Sequence, residues 1–312
     1  MENKNKILIA FIMIASTIIV SIFAFFSFER NYDEVSINWM SKVSDDVNIL
    51  DLYIPGTHDS GALHSIADVA GKCQDLSISS QLEIGVRFLD LRLKLVNDEF
   101  QIVHSFVDQN MKFEIVVEEL YSFIKNYSSE FLIISIKEDN SSVNSTVAFD
   151  EALIKALKPY EDVFMINDRK LPKTLGEARS KIYILSRFSG DIGIPAYFGW
   201  NDDDSFELDD LYIQDNYNIS DIEEKKTDIL NTIEYAKNNP NKLVINFASC
   251  YLDPGFPPTY AGTTALNINP WLKDEISKNN DKLGIMLIDF IDEELSKAIY
   301  MRNIVWKEQE IY

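Results

Sequence analysis

Cysteine is nearly absent: Cys73 and Cys250 are the only two in 312 residues. An even count in an exported chain permits one disulfide. A chain long enough to bury a sizeable core needs no such staple, so two buried free thiols are the expectation. Basic side chains are also scarce, with 29 Lys and Arg against 50 Asp and Glu and a formal net charge of −21. That balance excludes the basic footprint of a nucleic-acid binder and opposes docking on strongly anionic membranes. Histidine is scarcer still, at three residues. Beyond the N-terminus there is no repeat, no Pro/Ser-rich linker and no low-complexity block. With 46% hydrophobic residues, disorder is excluded and a proper core is available. Nothing suggests an oligomer, so a monomer is expected.

One long apolar run is present. No charge interrupts Ile7 to Phe28, which Lys4 and Lys6 precede and Glu29 and Arg30 follow. Lysines before such a run keep its N-terminus inside and send the rest of the chain out. The run is long enough to span a bilayer, and the bulky Ser21–Ser27 stretch offers no clean cleavage site. A signal peptide and a membrane anchor both fit residues 1–30. Either way residues 31–312 are expected to be extracellular, secreted or tethered to the outer face of the membrane.

Short apolar runs read as buried strands at Ile49–Ile54, Val86–Leu91, Phe131–Ile136, Val163–Ile166, Ile182–Leu185, Leu211–Gln214, Leu243–Phe247 and Gly284–Ile288. Helical stretches lie between many of them. Phe113, Val116, Val117, Leu120, Phe123, Ile124 and Tyr127 recur at helical spacing. Thr174 to Glu177 spells a capping box, and Ser220 to Lys237 reads as an amphipathic helix stopped before Pro240. Eight strands alternating with helices predict an α/β fold, a single distorted (β/α)8 TIM-like barrel. One hairpin, Val86–Leu95 with Phe100–His104, interrupts the alternation.

Ionisable residues fall at the C-terminal ends of six of these strands: His58 and Asp59, Asp90 and Arg92, Lys137 to Asp139, Arg187, Asp215 and Asp289. Barrel enzymes place their active sites at that face. His58 and His104 both lie at strand ends, and a histidine pair suits phosphodiester cleavage, one ring taking a proton while the other gives one. His64 receives no role.

Three segments, Ile54-Pro55-Gly56-Thr57-His58-Asp59-Ser60-Gly61, Gly85 to Arg92, and Ile102-Val103-His104, resemble the X domain of bacterial phosphatidylinositol-specific phospholipase C. Ile134–Glu138, Leu185–Gly190, Ile213–Tyr217 and Ile288–Ile291 continue the resemblance in order, from about Trp39 to the C-terminus. The resemblance implies a phosphorus–oxygen lyase that releases diacylglycerol and inositol 1,2-cyclic phosphate. It implies His58 as general base oriented by Asp289, His104 as general acid supported by Asp59, and Arg92 as phosphate clamp. Lys137, Arg187 and Asp215 resemble the inositol-binding groups, Tyr217 the ring under the sugar, and Asp90 a supporting residue. Phosphatidylinositol at a membrane or micelle interface, and glycosylphosphatidylinositol anchors, are the implied partners.

Calcium-dependent relatives carry a carboxylate where Arg92 stands. A guanidinium supplies positive charge itself and repels a hard cation, so no metal and no cofactor is expected. Val103 and Ser105 depart from the histidine and glycine that often flank the acid in this family. The tryptophan of membrane-inserting relatives is missing from Leu63–Val69, and the aromatic loop Tyr251–Tyr260 offers a replacement rim. Two other classes are weighed: a metal-dependent glycerophosphodiester hydrolase or sphingomyelinase-type phosphodiesterase, and a non-catalytic binder of inositol phosphates or lipid head groups. Arg92 opposes the first. The presence of His58, His104, Asp59 and Asp289 together opposes the second.

Overall fold

The computed structural model describes residues 34–65, 71–252, 260–278 and 281–304. The apolar run from Ile7 to Phe28 and most of the aromatic loop, 253–259, lie outside the described residues. No helix among the described residues is long and apolar enough to cross a membrane.

The strands in chain order are β1 (Ile54–Thr57), β2 (Phe88–Val96), β3 (Glu99–His104), β4 (Val107–Lys112), β5 (Leu132–Glu138), β6 (Phe164–Met165), β7 (Ile182–Arg187), β8 (Ile194–Pro195), β9 (Ser205–Leu208), β10 (Leu211–Gln214), β11 (Asn218–Ile219), β12 (Leu243–Phe247), β13 (Tyr251–Leu252) and β14 (Ile285–Ile288). Parallel pairing runs β6-β7-β5-β2-β1-β14-β12-β10, and β9 adds antiparallel to β10. The α/β fold is thus a curled, barrel-like sheet. No ladder joins its two ends among the described residues. Between β7 and β10, where a regular barrel would place a helix, the chain forms β8 and β9 instead.

Most expected elements stand where the pattern placed them. Helix Phe113–Asn126 buries the anticipated Phe113, Val116, Val117, Leu120, Phe123 and Ile124. The Thr174/Glu177 capping box is formed. The charged helix is Ile222–Asn238, opened by the Asp221 carboxylate, which accepts the Glu224 N–H. The first strand needs correction: Ile49–Asp51 is a 3-10 turn, and β1 begins only at Ile54. The Asn48 side chain accepts the Leu50 N–H, which offers the backbone a turn instead of a ladder. The fourth strand shrinks to Phe164–Met165. The hairpin forms with Val96 opposite Glu99, and β4 extends it by a strand that the pattern did not predict.

Gly56 explains part of the first motif. A Cβ there would lie 2.8 Å from Leu287 Cδ2 and 3.2 Å from the Met286 carbonyl oxygen, so only glycine lets β1 sit between β2 and β14.

Inside the curl each strand follows a period of two. Ile54, Phe88, Ile133, Tyr183, Leu185, Leu211, Ile213, Leu243, Ile245, Phe247, Ile285 and Leu287 share one core cluster. Trp39 closes its lower end, stacked 5.8 Å from Tyr300 and donating from Nε1 to the Gly85 carbonyl at 3.0 Å. Beneath the same end lies the fully buried Arg87–Glu130 pair, 2.8 Å from Nε to Oε2.

Candidate active site

Continuing each inner-face series upward leads from the core to charge. The series runs Ile54, Gly56, His58 along and just after β1 and Phe88, Asp90, Arg92 on β2. It runs Ile133, Ser135, Lys137 on β5, Tyr183, Leu185, Arg187 on β7, Leu211, Ile213, Asp215 after β10 and Ile285, Leu287, Asp289 after β14. Register then aligns the strands, pairing Arg92 with Lys137 and Lys137 with Arg187. Three cations therefore form one row across β2, β5 and β7, with neighbouring strands about 4.8 Å apart.

These ends surround a cavity of about 540 Å3 lined by His58, Arg92, His104, Lys137, Arg187, Asp215, Tyr217 and Asp289, among others. Asp59 and Asp90 are fully buried beneath it. All ten residues singled out in the sequence thus meet at one place. His64 is held through its backbone, its N–H donating to Gln109 Oε1 at 2.7 Å.

His58 lies between two partners. Its Nδ1 is 2.8 Å from Asp289 Oδ1 and its Nε2 is 2.7 Å from Arg92 Nη2. A guanidinium has no acceptor, so Nε2 is unprotonated and Nδ1–H donates to Asp289. Burial lowers the His58 pKa, but the charge and hydrogen bond of Asp289 outweigh it, and the net shift is upward from 6.5. Gln74 fixes the backbone here, donating to the carbonyls of His58 at 2.8 Å and Ile288 at 2.7 Å.

Arg92 sits among three carboxylates: Asp59 at 3.3 Å, Asp90 at 3.5 Å and Asp139 at 4.0 Å. Burial opposes its charge, and these three anions reverse the effect and push its pKa up. For Asp90, burial acts upward, while Arg92 and Arg187 hold the group well below the usual carboxylate range.

His104 ends β3. Its Nδ1 is 3.3 Å from Asp59 Oδ2 and 3.6 Å from Cys73 Sγ. Burial, with the charges of Arg92 and His58, brings its pKa below 6.5 against the pull of Asp59. Asp59 follows β1 in a left-handed turn, φ 42°, a conformation that aspartate tolerates better than most residues. Its N–H donates to Asp90 Oδ2 at 3.2 Å, and burial raises its pKa. Ser105 has φ 52°, a conformation that a glycine adopts without strain. Asp139 accepts its N–H at 2.7 Å and Asn140 donates to its carbonyl at 2.5 Å.

Four neighbours received no role in the sequence reading. Asp139 binds Lys137 Nζ at 2.8 Å; strand alternation puts positions 137 and 139 on one face, a signal that was available. Trp200 donates from Nε1 to Asp215 Oδ2 at 3.0 Å, and the Arg187 guanidinium lies 3.7 Å over its ring. Asp202 accepts the Tyr217 hydroxyl at 2.9 Å. Trp200 and Asp202 lie between β8 and β9, where no periodic pattern points inward. Cys73, the fourth, reaches the site from the connection between β1 and β2. Cys73 and Cys250 are both buried free thiols, as expected.

Residues 54–188 match the sequence profile of phosphatidylinositol-specific phospholipase C, X domain. This chain is similar to that X domain over those residues. The segment runs from β1 through β7 and includes His58, Asp59, Asp90, Arg92, His104, Lys137 and Arg187. Beyond that segment, similarity to known proteins continues over most of the chain. A 1-phosphatidylinositol phosphodiesterase from Listeria monocytogenes is 28% identical over 85% of this chain and 84% of its own length. One from Staphylococcus aureus is 28% identical over 81% of this chain and 88% of its own. The solved phosphatidylinositol-specific phospholipase C of Listeria monocytogenes superposes with a TM-score of 0.72 at 25% identity, covering 86% of this chain and 98% of that one. A mutant of the Staphylococcus aureus enzyme superposes at 0.76 and 23% identity, with 86% and 98% covered.

Proposed function

We propose that the chain is a phosphatidylinositol-specific phospholipase C, a lyase that cleaves phosphatidylinositol to diacylglycerol and inositol 1,2-cyclic phosphate. The X domain and the relatives named 1-phosphatidylinositol phosphodiesterase support the activity. The observation that carries the mechanism is the state of His58: an unprotonated Nε2 that accepts from Arg92 at the cavity and an Nδ1–H anchored on Asp289.

In this mechanism the inositol 2-hydroxyl takes the place of Arg92 at His58 Nε2 and gives up its proton there. The oxygen attacks phosphorus. Arg92, freed from the ring, places its fork on two phosphoryl oxygens and meets the charge that develops. His104, backed by Asp59, protonates the departing diacylglycerol oxygen. Lys137, Arg187 and Asp215 bind the ring hydroxyls over Tyr217, and Asp90 holds Arg92 and Arg187 in place. The reaction runs without a metal, because the three carboxylates that would converge on a hard cation converge on Arg92. Glycosylphosphatidylinositol anchors carry the same headgroup and belong to the proposed substrates. We place the enzyme outside the cell as a monomer, delivered by residues 1–30.

Phosphorus NMR of the purified full chain with phosphatidylinositol micelles and a chelator tests this reading. A cyclic inositol phosphate resonance is the expected result. Product that appears only when calcium is restored would defeat metal independence, and the absence of product in both conditions would defeat the activity.

A further inference from the structure

Cys73 stands between the two halves of the acid–base machinery without a part in it. Its thiol sulfur groups with Asp59 and His104, and also with His58 and Asp289, every ligand atom lying within 4.8 Å of the others in each set. The two sets differ. His58 Nδ1 and Asp289 Oδ1 are already bonded to each other at 2.8 Å. In the other set, neither carboxylate oxygen of the fully buried Asp59 has a hydrogen-bond partner among the described residues, and Oδ2 faces both His104 Nδ1 and the Arg92 Nε, each at 3.3 Å.

The spacing is that of a tetrahedral site. Zinc, with bonds of about 2.3 Å to sulfur and about 2.0 Å to nitrogen or oxygen, holds sulfur and nitrogen about 3.5 Å apart and nitrogen and oxygen about 3.3 Å apart. Here Cys73 Sγ to His104 Nδ1 is 3.6 Å and His104 Nδ1 to Asp59 Oδ2 is 3.3 Å. The backbone is prepared as well: the Cys73 N–H donates to the Ala62 carbonyl at 2.9 Å, and the Cys73 carbonyl accepts the Phe290 N–H at 2.8 Å.

We propose that Asp59, Cys73 and His104 form an inhibitory site for a thiophilic divalent cation, zinc in the first place. This consequence for activity rests on the function proposed above. Binding is a ligand exchange: the Cys73 thiol proton leaves to water as the metal–sulfur bond forms, His104 contributes its neutral Nδ1 lone pair, and Asp59 contributes a carboxylate oxygen. The two anionic ligands cancel the metal's charge, so Arg92, which keeps Asp90 and Asp139, does not repel it. Calcium gains nothing from this sulfur and nitrogen donor set. A ring bound at Nδ1 cannot become imidazolium. It keeps only a neutral Nε2–H, a far weaker acid for the leaving oxygen.

The test uses the full chain in mild detergent, stripped with chelator and titrated with Co2+ and Zn2+. Co2+ should produce a thiolate-to-cobalt charge-transfer absorption that Zn2+ removes. Zn2+ should cut phosphatidylinositol cleavage by about a hundredfold, the order of a lost general acid, and chelator should restore it. Cys73→Ser should keep cleavage and lose both effects, while Cys250→Ser should keep both. A wild-type chain without the band, or a band that survives in Cys73→Ser, overturns the site. Should Cys73→Ser fail to fold, His104→Gln gives the spectral test, and an unchanged band there overturns it equally. A band without inhibition keeps the metal site but overturns its inhibitory role, and with it the part of His104 as general acid. If wild type cleaves no phosphatidylinositol, the function falls and the spectrum still decides the site.

Discussion

Arg92 Nη2 lies 2.7 Å from His58 Nε2, so the residue assigned to the phosphate occupies the atom assigned to the substrate hydroxyl. One contact therefore preorganises two groups. It fixes the His58 tautomer, and it is relinquished only when a hydroxyl and a phosphate arrive together. Lysine cannot span His58, the phosphate and three carboxylates with one fork. Arg92→Lys is expected to lower kcat by about 10²- to 10³-fold, the range for one lost transition-state donor, with a much smaller change in KM. Steady-state kinetics with chelator present checks this.

The two histidines are shifted in opposite directions, His58 up and His104 down. The reactive form has His58 neutral and His104 charged, and it is a minority at every pH. The alkaline limb of kcat/KM then follows His58. Asp289→Asn removes the charge that raises His58, so the alkaline limb should move to lower pH. The stability effect has a definite sign as well. A raised histidine pKa stabilises the fold fully below the unfolded value of about 6.5, and the contribution fades as pH rises through the higher folded value. The stability deficit of Asp289→Asn should therefore be largest on the acid side, read by denaturant unfolding across pH.

Trp200 is bonded to Asp215 and stacked on Arg187, two residues given to the inositol ring. Trp200→Phe keeps a ring for Arg187 and deprives Asp215 of a donor. A lost partner of a buried charged group costs about 1–2 kcal/mol, roughly tenfold in kcat/KM, and should appear mainly in KM. An unchanged KM would remove Trp200 from substrate binding.

At the opposite end of the sheet, Arg87 and Glu130 are both fully buried. Arg87 also donates to the carbonyls of Leu82, Val86 and Ile37, each at 2.8 Å. Glu130→Ala leaves that cation unpaired and should cost about 3–5 kcal/mol in chemical denaturation. The kcat of the folded fraction should stay unchanged, because the pair lies below the core and touches nothing in the cavity.

The sequence by itself determined which residues climb toward the mouth. On each strand the inner face alternates upward from apolar to ionisable, as in Phe88, Asp90, Arg92 or Ile285, Leu287, Asp289, and a period of two can be read from one chain. The motif around His58 and the ends of β10 and β14 were equally legible. The tertiary structure alone decided the rest. Register across β2, β5 and β7 set Arg92, Lys137 and Arg187 in one row. The β7-to-β10 connection carried Trp200 and Asp202 inward without any periodic signal. The β1–β2 connection delivered Cys73 beside His104. Local patterns report which way a side chain faces along its own strand, and they carry no information about which strand lies next to it. The cation row, the carboxylate cage around Arg92 and the thiol beside His104 are all relations between strands and loops distant in sequence.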